Sequence, residues 1–177
     1  KDGLISTFLN GMVKCTGYKP GALEDRYSSD GVFLYDRLNK SDMEMLELTI
    51  RCHNMYRIPQ GLNRREQAFC NVLRDADKVD IFKVNIDTPL EEIYNTTTEE
   101  LMKSDITDEV LEAFDEEHCI LKAIRRTPAD TVIGHVSLAY ELVYDESVRI
   151  TVEQGYLGKL MHFHSDNEET NRKMAMV

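Results

Sequence analysis

No run in this sequence approaches the roughly 18 to 20 consecutive apolar residues that a membrane span needs. The opening KDGLISTFLNGMVK also lacks the apolar core and small-residue cleavage site of a secretory signal. A soluble chain with no membrane partner is expected. Cysteine is sparse: Cys15, Cys52, Cys70 and Cys119 are scattered with no CxxC spacing, which leaves a structural zinc site and a disulfide framework unsupported. Cys52 and Cys70 fall on apolar helical faces, where free thiols pack as small hydrophobes, and the pattern favours a reducing cytoplasm. GxGxxG, P-loop, GxSxG and HExxH patterns are all missing, which removes support for the common nucleotide-binding, serine-hydrolase and zinc-protease readings.

Positive charge is short as well. The formal net charge is -11, which opposes a phosphate backbone and sets nucleic acid aside as the main partner. The distribution is uneven. From Arg51 to Lys83, seven basic residues (Arg51, Arg57, Arg64, Arg65, Arg74, Lys78 and Lys83) face four acidic ones (Glu66, Asp75, Asp77 and Asp80), so this segment is +3 within a remainder of -14. Solvated helix faces or a basic pocket for a small anion both account for that excess.

What the chain does have is length for one sizeable core, 177 residues at 42% hydrophobic content, and a single domain over 1–177 is expected. Helix starts are frequent. Ser41 with Glu44 reads as a capping box, and Asn63 with Glu66 as another, opening a long buried helix whose stripe runs Ala68, Phe69, Val72, Leu73, Ala76, Val79, Ile81 and Phe82. Thr88, Pro89 and Glu91 start a short helix, and Thr97 with Glu100 starts the next. ITDEVLEAFDEE gives a further helix, and Thr127, Pro128 and Asp130 open a longer one through GHVSLAYELVYD. DESVRITVEQ ends on Gly155 as a left-handed cap, YLGKLMHFH resumes, and DNEETNRKMAMV closes the chain. Strand alternation is rare, and only residues 1–30, rich in glycine, read as irregular. The expectation is an all-α bundle with a loop-rich N-terminal segment.

Within the long helix, RDADKVDIFKV sets three aspartates among apolar residues. At about 100° per residue Asp77 points roughly 200° from Asp75 and roughly 300° from Asp80, so the three cannot share one face. Asp77 lies closest to the apolar stripe, where a carboxylate must meet a cation, hydrogen-bond donors or a metal; an ion pair with Arg74 or Lys78 satisfies the spacing equally. The preceding helix ends in RCHNMYRIPQGL. Antiparallel packing would bring His53 toward Asp77, as a metal ligand or simply as a cation at the helix C-terminus.

LRDADKVDIFKV resembles the last motif of the HD-domain metal-dependent phosphohydrolases, a helical superfamily. Residues 50–82 are similar throughout to the helix, turn and helix that carry that motif in one bacterial branch. HVSLAYELVYDESVRITVEQGYLGKLM resembles the C-terminal helices of the same branch, and DRYSSDG resembles its Ser-x-Asp-His-Gly segment. Together these cover about two thirds of the chain.

The resemblance implies an HD-like helical fold with Asp77 as the closing metal ligand and His53 as a contributor to a second metal. A divalent metal ion would activate water for attack on a small phosphorylated metabolite or nucleotide, with Arg57 and Lys78 on the phosphate.

The chain departs from the family in having no His-Asp dipeptide, and none of its five histidines precedes His53. Asp30 runs directly into Gly31 where the family has a histidine between them. Two explanations compete: an N-terminally incomplete HD protein, favoured by the start at Lys1, or a degenerate domain in which Leu9 to Gly11 is the remnant of the His-Asp position and which binds a ligand or protein partner without metal. Elsewhere, His162 and His164 lie about 200° apart on a helix and with Asp166 make a poor metal site. His135 reads as a satisfied core or boundary histidine, and the acidic run from Glu112 to His118 as a solvated face.

Overall fold

The computed structural model describes residues 39–177; the irregular reading of 1–30, the DRYSSDG segment, the Leu9–Gly11 remnant and Cys15 lie outside the described residues. Among the described residues the chain is all-α with no strand. It divides into two compact units, one ending at Asp77 and one running Lys78–Val177.

In the first unit, α1 spans Lys40–Cys52. Its cap is Asn39, whose side chain accepts from the Asp42 amide at 3.0 Å while its Nδ2 donates to the Asp42 carboxylate at 2.8 Å. The cap therefore sits two residues before the expected Ser41, because the Asn39 side chain supplies the accepting oxygen there. Glu44 pairs with Lys40 instead, at 3.8 Å on the surface.

The long helix α2, Arg64–Asp87, is capped as the sequence suggests. Asn63 Oδ1 accepts from the Arg65 and Glu66 amides, and Glu66 accepts back from the Asn63 amide at 2.9 Å. Of the apolar stripe, Leu73, Val79 and Phe82 are buried and Ala68, Ala76 and Ile81 half-buried, but the buried face is not the stripe alone. Phe69 and Val72 are exposed, whereas Arg74, Asp75, Lys78 and Asn85 are buried. At about 100° per residue Cys70, Arg74, Lys78, Phe82 and Asn85 share one arc of about 120°, so the buried face of this helix has polar residues at its centre.

Arg65 pairs with Asp42 at 2.9 Å near the start of both helices, and Arg74 donates to the Cys52 carbonyl at 3.3 Å, nine residues further along α2 and ten further along α1. Contacts that advance together on both helices mean that α1 and α2 run parallel, not antiparallel. The segment 53–63 is the return that such an arrangement requires.

In the second unit, Thr97 and Glu100 cap α4 (Thr98–Lys103) as a full box, following the short α3 (Leu90–Tyr94). Thr107 precedes α5 (Asp108–Asp115) and Thr127 caps α6 (Pro128–Val136). The fully buried Asp130 joins the two. Its carboxylate accepts from the amides of Thr107 at 2.8 Å, Arg126 at 2.8 Å and Thr127 at 3.1 Å, which satisfies a group that burial would otherwise penalise heavily.

The sequence carries α6 through GHVSLAYELVYD, but it stops at Val136 and tightens into a 3-10 turn over Ser137–Glu141. Ser137 is the cause: its hydroxyl donates to the Gly134 carbonyl at 2.9 Å and accepts the Ile120 amide at 3.0 Å, competing with helix continuation. A Cβ at Gly134 would meet the Arg125 guanidinium at 2.2 Å, so a larger residue there would displace that side chain. Gly155, at φ 69°, ends α7 (Asp145–Gln154) before α8 (Tyr156–Met161), and Asn167 caps α9 (Glu168–Met174). Leu101, Ile106, Val110, Ile120, Val132 and Ile133 form the heart of the core.

His135 belongs to this interior. Its Nδ1–H donates to Asn85 Oδ1 at 2.7 Å, the Tyr94 hydroxyl donates to the same oxygen at 2.8 Å, and the Tyr94 and His135 rings sit 5.7 Å apart. This is the satisfied histidine that the sequence suggests.

Candidate functional site

The parallel pairing of α1 and α2 fixes where His53 goes. In an antiparallel hairpin the end of α1 would lie beside the start of α2, about 20 Å short of Asp77 along the helix axis. Parallel packing instead carries the end of α1 up to Arg74, one turn before Asp77. Arg74, itself 7% exposed, donates through its guanidinium to the carbonyls of Cys52, Met55 and Tyr56. It thereby holds the helix end and the turn after it against this part of α2. Cys70, Arg74 and Asp77 fall within an arc of about 60°, so Asp77 continues the same face by one turn.

His53, half-buried, donates Nδ1–H to the Ile50 carbonyl at 2.6 Å. That bond selects the tautomer whose Nε2 carries the lone pair, the usual preparation of an imidazole that coordinates or accepts a proton. Arg57 is exposed on the pinned turn, with its guanidinium 5.7 Å from the Tyr56 ring centroid. Asp77 and Asp80 are half-buried, and Asp75 is the deepest of the three aspartates at 1% exposure.

Lys78, at 5% exposure, belongs to the second unit, where its charge reaches the Cys119 thiol. Burial pushes that thiol up; Arg125 and Lys78 oppose the shift and Glu141 adds to it. His162 is exposed and donates Nδ1–H to the Gly158 carbonyl at 2.6 Å; His164 and Asp166 are exposed as well.

Sequence reasoning gave Arg74 no role beyond pairing with an aspartate. The signal was present in the spacing: Arg74, Lys78 and Asn85 recur at i, i+4 and i+11, a helical period that marks one face. Among the described residues no three His, Cys, Asp or Glu side chains converge to hold a metal ion. One carboxylate and one imidazole do not hold a divalent ion tightly, so Asp77 and His53 fit a metal only as part of a larger donor set. No family model, curated protein or solved structure matches the chain.

Proposed function

We propose that the chain is a metal-dependent phosphohydrolase of HD type acting on a small phosphorylated metabolite, nucleotides included. The observation that carries this reading is the Arg74 clamp, which brings the turn containing His53 to the helix face that Asp77 continues. In this reading Asp77 is the closing carboxylate ligand and His53 contributes Nε2. Arg57, exposed on the turn, neutralises the phosphate. In this reading the ion needs further donors besides these two. The bound divalent ion would supply an activated water. The described thiols are free, which suits a reducing compartment such as the cytoplasm.

A second reading, a non-catalytic HD-like domain that binds a ligand or protein partner, is favoured by the lack of a three-donor group among the described residues. Metal analysis of the purified protein, combined with phosphate release from a panel of nucleotides and sugar phosphates, separates the two. Stoichiometric metal and a hydrolysis that Asp77→Asn abolishes support the first. A folded protein with neither metal nor hydrolysis selects the second.

A further inference from the structure

We propose that His118 is a pH-sensitive clasp on the bend that follows α5: when protonated it ties the Glu116 side chain to the Cys119 backbone and holds the bend closed, and when deprotonated it lets go. The bend needs holding. Among the described residues only Asn95 and Glu117 have a positive φ without being glycine, and Glu117, at φ 54°, lacks the short polar side chain that suits asparagine to that conformation. Left-handed backbone at such a residue is imposed by its surroundings. The His118 ring spans it. Nε2 lies 2.7 Å from Glu116 Oε2, and Nδ1 lies 3.1 Å from the Cys119 carbonyl oxygen, so the ring reaches residues on both sides of Glu117. Both partners are acceptors. A neutral imidazole has one N–H and would turn a lone pair on the second acceptor, whereas the imidazolium donates to both. The hydrogen bond to Glu116, and then the one to the Cys119 carbonyl, hold the pKa of His118 above the usual 6.5.

Glu116 supplies the charge at the ring itself. Around it, Glu117 and Asp115 bear on the hydroxyl of Tyr140, whose ring centroid lies 5.2 Å from that of Phe114, and Arg125, Glu141 and Lys78 bear on the Cys119 thiol. From Glu112 to His118 there are four carboxylates and, in His118, one group able to carry positive charge, so loss of its proton leaves Asp115, Glu116 and Glu117 to repel one another. The opening stops at Ile120. Its amide donates to Ser137 Oγ at 3.0 Å and its carbonyl accepts from Arg125, which confines the change to residues 115–119. Because the folded pKa is raised, the closed bend is fully favoured below pH 6.5 and is lost as the pH rises through the folded value. The two side chains are 38% and 68% exposed, so the device moves a local bend and not the global stability. It does not depend on the hydrolysis proposed above.

The test follows the histidine side chains of the isotope-labelled full chain by NMR from below pH 6.5 to well above it, with His118→Gln identifying the signal. At the acidic end both ring nitrogens of His118 should carry protons. Its titration midpoint should lie above 6.5, and Glu116→Gln should lower it. Amide exchange at residues 116–119 should be slower in the wild-type protein than in His118→Gln below the midpoint, and the two should coincide above it. A midpoint at or below 6.5, or one that Glu116→Gln leaves unchanged, overturns the proposal. So does an exchange difference that is absent below the midpoint or persists above it.

Discussion

Arg74 is the residue on which the first unit depends. A buried guanidinium is tolerated because its planar fork meets the carbonyls of Cys52, Met55 and Tyr56, at the end of α1 and in the turn after it. Arg74→Lys keeps the charge but not the fork, so it should lose about 2 to 3 kcal/mol, as hydrogen bonds to charged groups typically contribute. Urea unfolding should show the lowered midpoint, and amide exchange should accelerate at residues 53–58. Unchanged exchange there would show that the turn is held by something else.

His135 sets a second test at this scale. Burial lowers it to about 4, with the Arg125 and Lys122 charges adding to the effect. The folded ring therefore binds its proton later than the unfolded one, whose value is 6.5. Stability is fully present above pH 6.5, falls as the pH drops toward 4 and levels off below it. The loss is on the order of 3 kcal/mol. His135→Gln, which keeps a donor for Asn85, should flatten that slope; denaturant unfolding near pH 7 and near pH 4.5 reads the difference.

At the scale of elements, the caps were legible because each is a local pattern with its own chemistry. Asn63, Thr97, Thr127 and Gly155 all stand where the spacing puts them. Asn63→Ala should accordingly cost about 1 kcal/mol, with helix loss concentrated in the first turn of α2 by amide exchange. The pattern marked Leu73, Val79 and Phe82 as buried, but not that polar residues share the covered surface of α2. Phe69 and Val72 stay exposed, while Arg74, Asp75 and Lys78 are covered. Hydropathy ranks those residues the other way, and only the partners of the polar groups reverse the order. The direction of α1 was equally hidden: a connection over 53–63 is long enough for either a hairpin or a return, and the contacts of Asp42 and Cys52 decide for the return.

For the molecule as a whole, an all-α chain was legible from its repeated caps and its lack of strand alternation. Among the described residues no helix is long and apolar enough to cross a membrane. The candidate site was legible in part. Asp77 and His53 were singled out by residue type and by resemblance, but the expected hairpin would have kept them apart. Arg74, which joins their neighbourhoods, read from the spacing only as an ion-pair partner of Asp77. A site whose geometry depends on main-chain carbonyls leaves little trace in side-chain patterns.

The central claim is that Asp77 and His53 belong to one metal centre, and manganese titration of the isotope-labelled protein, followed by NMR, addresses it directly. The account predicts that substoichiometric manganese broadens the amide signals of His53 and Asp77 before any others, and that Asp77→Asn removes this effect while the remaining spectrum is preserved. Broadening that begins instead along the acidic surface of residues 112–117, or that is unchanged in Asp77→Asn, would contradict it.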